Sequence, residues 1–566
     1  MRWMNAASQI PPLSDTGTDG LVLRLQNRPW LRGVAWFCFA ALCVFPLFFS
    51  LGDHPIHGDS EARYGLAARA MAGGDAPLLV PTLFGEPHLT KPPLTYWLMA
   101  GSIRVFGDNE FALRLPSALS GVFTLAIVFG LAYHLCGARR AVIAAAILSV
   151  TPIFVVVSRL GITDGLLSLF STAVLASGLL AVKKRKLIYL LILWISFALA
   201  LLTKGPPALL APISLLVWLG VTRQWSELRY IRPILGFLVA LMPLALWGIL
   251  IAIRYPEAWE IWRFQTFDRA IGTGDHPEPW WFFLPVFVVG LLPATALLWH
   301  SKSRHIRAAW TQAIDRKDES LLWIVMMVLT LVSFTLITGK LMSYLLPLAA
   351  PAAWLASGLL KNIKYDKKIN YKKNAFTFSV LVMALAAATY WVRISYGVNE
   401  AVGLWPLLLA VVVIGLLGVT GRLRLDAPHF FAPSLAWLLV INLVAWACLA
   451  EDRIFGQKSS PVVVEAISQL SGIDEPQIFT VGFSQRNLAY YTDHPTERID
   501  PRILPDKWAK LRKDRLVFLA EPDEWDGFAS DPNWDLEKRY ELIAAELSLG
   551  YENKKVRVYR VRPEHH

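Results

Sequence analysis

Residues 159–204, RLGITDGLLSLFSTAVLASGLLAVKKRKLIYLLILWISFALALLTK, hold two apolar runs back to back. The runs, 165–182 and 187–203, each approach the roughly 20 residues that cross a bilayer as a helix. Between them stand Lys183, Lys184, Arg185 and Lys186, a basic turn of the kind that stays on the cytoplasmic side. Arg159 and Asp164 precede the first run and Lys204 closes the second, so ionisable groups collect at the opposite, outer end. A soluble core does not use this arrangement. It reads as one hairpin of a polytopic α-helical membrane protein.

The same pattern extends in both directions. Spans are expected near 34–51, 115–135, 141–158, 165–182, 187–203, 206–221, 233–252, 281–299, 321–337, 342–360, 375–392, 401–420 and 430–449, a bundle of about 13 transmembrane helices. Basic loops recur at Arg139 and Arg140, Lys183 to Lys186, Arg223 to Arg232, Lys302 to Lys317, Lys361 to Lys373, and Arg422 with Arg424. They alternate with loops at 52–114, 159–164, 204–205, 253–280, 338–341 and 393–400. The positive-inside rule therefore puts the segment 1–33 in the cytoplasm and the second set of loops, together with the tail 451–566, outside. The first 33 residues lack a cleavable-signal pattern, and the first helix reads as a retained anchor.

Composition agrees. Of 566 residues 55% are hydrophobic and 17% charged, against about 25% charged in soluble domains. The net charge of +12 sits in short loops between apolar runs; it serves orientation and excludes nucleic acid as the partner. Cys38, Cys43, Cys136 and Cys448 lie in or beside apolar helices without ligand spacing, and read as small hydrophobes rather than a disulfide framework.

Two external regions depart from plain connectors. In loop 52–114, EARYGLAARAMA (61–72) and LTYWLMAGSIRVF (94–106) have helical spacing but too little length to span, as helices at the membrane interface do. The tail reads as a small α/β domain, with a helix capped at Ser460 and strands at 477–483, 515–521 and 555–561.

Chemistry is expected where ionisable residues meet the outer surface. Asp59, Glu61 and Arg63 open the first interfacial segment; Asp59 reads either as its N-cap or as a carboxylate at the mouth of the bundle. Lys91, before Pro92 and Pro93, either snorkels to the interface or holds a phosphate. Asp164 reads as a helix cap or as a second carboxylate. Lys204, and Lys340 with Tyr344, stand in loops that the positive-inside rule does not furnish with lysine. Arg254, Arg263, Arg269 and His276 share the external loop 253–280, and His276 is its candidate metal ligand, without a second ligand at pairing distance. Carboxylates suit a general base for an acceptor hydroxyl, and cations suit a phosphate leaving group. A lipid or sugar transporter is the competing reading, but it would set its charges near mid-membrane on broken helices.

These residues carry a resemblance. Asp-x-Glu-x-Arg-Tyr (59–64), Lys-Pro-Pro-Leu-x-Tyr-Trp (91–97), Arg-x-x-x-x-Asp (159–164) and Lys-x-x-x-Tyr-Leu-Leu-Pro (340–347) together resemble the bacterial members of the protein-mannosyltransferase-like superfamily, and among them the lipid A aminoarabinose transferases. The resemblance implies the GT-C fold and inverting transfer of a sugar from a polyprenyl phosphate on the periplasmic face of the inner membrane. The acceptor would be lipid A, another glycan or a protein. It implies Asp59 or Glu61 and Asp164 as the carboxylates, and Arg63, Lys91, Lys340, Tyr344 and Lys204 around the donor phosphate. It implies no certain cofactor and leaves a divalent metal at the carboxylates open. Two departures stand out: Ser60 separates Asp59 from Glu61 where those transferases have adjacent Asp-Glu, and Thr90 replaces their Glu before the Lys-Pro.

Overall fold

The structure is a computed structural model. It describes residues 29–265 except 54, 57, 58 and 84, then 278–299, 318–363, 460–472, 477–481, 486–492, 516–520, 523, 525–526, 540–549 and 554–561. The expected spans 375–392, 401–420 and 430–449 lie outside the described residues, as do His276, Arg269 and Cys448.

Among the described residues five helical stretches are long and apolar enough to cross a membrane: Glu110–Cys136, Thr163–Lys184, Leu187–Lys204, Trp225–Arg254 and Glu319–Leu336. Their faces divide in two. Trp218, Trp323, Trp354, Phe154 and Phe197 fill the space between helices. On Pro233–Arg254, by contrast, Ile234, Met242 and Ile253 are 79%, 64% and 76% exposed. Apolar surface on that scale needs lipid, not water, beside it.

Four expected spans are broken, each at proline. The 141–158 run forms Ala138–Ser149 and Pro152–Val157. The 206–221 run opens with a 3-10 turn, Pro206–Leu209, before Leu210–Val221. The 281–299 run divides into Phe283–Gly290 and Ala294–Trp299 around Pro293. The 342–360 run begins as a 3-10 segment, Met342–Leu348, and becomes α-helical over Ala349–Ile363. Proline lacks the amide that an α-helix needs and biases the residue before it away from helical backbone. In a protein interior such breaks are tolerated because neighbouring helices satisfy the freed groups.

Both interfacial segments are helices, Asp59–Gly73 and Leu94–Phe106. In the tail, Ser460–Ser471 packs Val463 and Ile467 on a four-stranded sheet. The strand order is Gln477–Val481, Leu516–Ala520, Lys554–Val561, Tyr540–Leu549; the first pair is parallel and the others antiparallel. The strand Tyr540–Leu549 is one the sequence reading did not assign. Cys38, Cys43 and Cys136 are free thiols, and Cys38 is exposed rather than buried.

Ion pairs mark the two ends of the bundle. At one end Lys183 reaches Glu319 at 2.7 Å and Arg185 reaches Glu227 at 2.5 Å. Along Thr163–Lys184, Asp164 stands at the opposite end from Lys183, about 30 Å away at 1.5 Å per residue, the thickness of a bilayer core.

Candidate functional site

The Asp59–Gly73 helix begins with two acids in its first turn, where the helix dipole favours negative charge. They have different surroundings. Asp59 is exposed. Glu61 is 4% exposed and accepts from Arg114 Nε at 2.8 Å and Nη2 at 3.1 Å. The Gly161 amide also donates to it at 2.8 Å. The same guanidinium donates to the carbonyls of Leu51 (3.1 Å) and Pro55 (3.2 Å). Gly161 is closely packed: a Cβ there would stand 3.0 Å from Leu113 and 3.3 Å from Glu61, and both side chains would have to give way. The Glu61 carboxylate accepts from a bidentate arginine and a backbone amide, and it ties the first external loop to the second.

Arg159, first residue of the Arg-x-x-x-x-Asp motif, is likewise structural. Its guanidinium donates to the carbonyls of Pro46 and Phe49 at the end of the Pro29–Phe48 helix. Those carbonyls have no intrahelical partner.

One turn beyond the acids, Arg63 donates to Ser60 Oγ at 3.5 Å and lies 5.9 Å from the Tyr64 ring. Tyr64 stands 5.3 Å from Tyr96, centroid to centroid. Burial raises the Tyr64 phenol above its usual range against the pull of Arg63 and Lys204, and burial raises Tyr96 further. Both remain protonated at neutral pH.

Opposite them the two ends of the decisive hairpin meet. Lys204 Nζ donates to Asp164 Oδ1 at 2.7 Å; Asp164 is buried and the lysine side chain is 10% exposed. Lys204 also lies 4.7 Å from the Tyr344 ring, which packs on Phe334. Asp164, Lys204 and Tyr344, far apart in sequence, thus form one group beside Arg63 and Tyr64. The charge of Asp164 is matched by Lys204.

The lysine before the prolines is positioned by tryptophan. The indole N–H groups of Trp97, Trp247 and Trp262 donate to the carbonyls of Leu78 (2.6 Å), Leu79 (2.9 Å) and Leu89 (2.8 Å). These bonds pin the segment that leads to Lys91. Lys91 Nζ donates to Gln265 Oε1 at 3.4 Å, at the near end of the external loop 253–280. Beside it Thr90 Oγ1 pairs with His88 Nε2 at 2.8 Å, and His88 meets the edge of Tyr96. At the far end of that loop Lys340 donates to the carbonyls of Glu278 (2.8 Å) and Thr338 (3.4 Å), and is 4% exposed. Lys91 and Lys340 therefore both meet the external loop 253–280, at Gln265 and at Glu278. Among the described residues no three His, Cys, Asp or Glu side chains gather as a metal site.

Sequence reading passed over Arg114, and quoted Tyr64 and Tyr96 in its motifs without giving them a role. Arg114 had a signal, a lone cation at the head of the apolar run 115–135.

Comparison with known proteins adds three findings. A family model described as dolichyl-phosphate-mannose-protein mannosyltransferase matches residues 90–249, which include Lys91, Asp164 and Lys204. The undecaprenyl phosphate-alpha-4-amino-4-deoxy-L-arabinose arabinosyl transferase of Edwardsiella ictaluri (strain 93-146) is 26% identical over 452 residues, 77% of this chain and 80% of that protein. Its namesake from Aeromonas hydrophila subsp. hydrophila is 29% identical over 430 residues, 71% of this chain and 77% of the relative. The crystal structure of ArnT from Cupriavidus metallidurans bound to undecaprenyl phosphate superposes with a TM-score of 0.71 at 20% identity, over 97% of this chain and 99% of that one. At that identity the likeness is one of fold.

Proposed function

We propose that this chain, which belongs to the protein-mannosyltransferase-like superfamily of GT-C fold, is an integral-membrane glycosyltransferase. It moves a sugar from a polyprenyl-phosphate carrier to an envelope acceptor, lipid A first among them, on the periplasmic face of the inner membrane. The observation that carries this reading is the charged group at one end of the bundle: the buried Asp164–Lys204 pair under Tyr344, with Arg63 and Tyr64 beside it. The curated relatives named as undecaprenyl phosphate-aminoarabinose transferases supply the substrate class. The finer topology belongs to the same proposal: about 13 spans, with the tail as a periplasmic α/β domain.

In this reading the polyprenyl chain lies against the lipid-facing helices and its phosphate rests on Lys91, Arg63 and Lys340. The bond between the anomeric carbon and the phosphate oxygen breaks, and polyprenyl phosphate leaves with the electron pair. The cations stabilise that charge in a low-dielectric cleft. The acceptor oxygen bonds to the opposite face of the anomeric carbon. A hydroxyl acceptor gives its proton to Asp59; a phosphate acceptor needs no base. Asp164, fixed by Lys204, orients the acceptor, and Glu61 holds the loops in place. The transporter alternative calls for ionisable groups at mid-membrane, whereas Glu61–Arg114 and Asp164–Lys204 sit at helix ends.

Mass spectrometry of lipid A and envelope glycans from a deletion strain tests the assignment. Loss of one sugar increment from an acceptor, restored by the gene, is expected. Identical envelopes with and without the chain would contradict it.

A further inference from the structure

The first interfacial helix is held from outside the bundle as well as from within. Arg114 grips the carbonyls of Leu51 and Pro55 from the bundle side. From the tail, Tyr491 Oη accepts from the Ile56 amide at 2.7 Å, three residues before Asp59, and donates to Glu110 Oε1 at 2.7 Å. Glu110 opens the Glu110–Cys136 helix, so one hydroxyl bridges the loop before Asp59 to the first residue of a membrane span. Burial, then the bond to Glu110, raises the Tyr491 phenol, so it stays a hydroxyl able to bridge.

Its neighbour makes a second clasp. Arg69 lies 4.1 Å over the Tyr490 ring, donates to the Tyr490 carbonyl at 2.9 Å and pairs with Asp108 at 2.5 Å. Tyr490 Oη donates to the same carboxylate at 3.3 Å. The helix admits this ring only at a glycine: a Cβ on Gly65 would stand 2.7 Å from Tyr490 Cε2. The two tyrosines lie in the short helix Arg486–Thr492, more than 400 residues from the helix they clasp.

We infer that Tyr490 and Tyr491 are positioning residues of the transferase: the tail sets where Asp59 and Arg63 stand by fixing the loop and helix that carry them, without touching substrate. This rests on the transferase reading above. It gives the tail a role in turnover, where the tail's sheet shows no catalytic grouping among the described residues. A misplacement of about 1 Å at a reacting group costs up to about 100-fold in rate, so loss of one clasp should register in kcat.

The test is Tyr491→Phe in the purified full chain in vesicles, read by sugar transfer and by amide hydrogen exchange. The ring is kept and one hydroxyl is lost. The expected result is a kcat drop of about 10- to 100-fold, an unchanged donor KM, an unchanged melting temperature, and faster exchange confined to 52–62. Gly65→Ala, which pushes on the Tyr490 ring from the other partner, should give the same split. Wild-type kcat in Tyr491→Phe, or unchanged exchange at 52–62, overturns the inference. A merely structural role would lower the melting temperature and leave turnover per folded molecule intact. If the unmodified chain transfers no sugar, the transferase reading falls instead, and the exchange arm alone decides whether the tail holds the loop.

Discussion

Glu61 and Asp164 are both buried carboxylates paired with one cation, yet they are expected to respond differently to substitution. Glu61 accepts three hydrogen bonds from Arg114 and Gly161. Glu61→Gln leaves Arg114 buried without its counter-charge, a change that costs about 3–5 kcal/mol, so the expected outcome is loss of folded protein in detergent melts. Asp59 is exposed, and Asp59→Asn should keep the melting temperature while transfer to a hydroxyl acceptor falls by about 10²- to 10⁴-fold. Normal turnover in Asp59→Asn would reduce it to a helix cap. Asp164→Asn should lose both transfer and stability, because Lys204 is left uncompensated. The double variant Asp164→Asn/Lys204→Met removes the stranded charge as well; its melting temperature should recover while transfer stays absent. These residues were legible in the sequence because ionisable groups at membrane helix ends are conspicuous. Their pairings were not, since Glu61 meets Arg114 and Gly161, and Asp164 meets Lys204, through tertiary packing alone.

At the scale of elements, the segment before Lys91 depends on three indoles contributed by three helices, Leu94–Phe106, Pro233–Arg254 and Ala258–Arg263. Trp262→Phe keeps an aromatic ring and removes the N–H from the Leu89 carbonyl. One hydrogen bond is worth about 1 kcal/mol, so donor KM should rise about fivefold with kcat kept, measured by donor titration at saturating acceptor. An unchanged KM would detach Lys91 from donor binding. The helices themselves were legible from apolar run length, and their interruptions were less so. Pro152, Pro206, Pro293 and Pro347 were all visible, but a window of membrane length averages over a single proline. Tyr540–Leu549, YELIAAELSL, reads as helix former after helix former. It is a strand because Lys554–Val561 pairs with it along its length, a tertiary preference that overrides local propensity.

Over the whole molecule, one end of the bundle carries basic loops tied by Lys183–Glu319 and Arg185–Glu227, and the other carries the candidate site. The proposed orientation rests on the basic loops; on it an alkaline phosphatase fusion after Glu451 should be active, and activity only from a cytoplasmic reporter at that position would invert every assignment made above. The decisive measurement is transfer itself. The purified chain in vesicles is supplied with polyprenyl-phosphate-linked sugars and lipid A, and both carrier and acceptor are followed by mass spectrometry. The expected result is free polyprenyl phosphate appearing in step with a glycosylated acceptor, both strongly reduced in Lys91→Ala and, where the sugar goes to a hydroxyl, reduced by about 10²- to 10⁴-fold in Asp59→Asn. Release and transfer that proceed equally in Lys91→Ala, or an acceptor that never gains sugar, would contradict the assignment of this end of the bundle as a glycosyltransferase site.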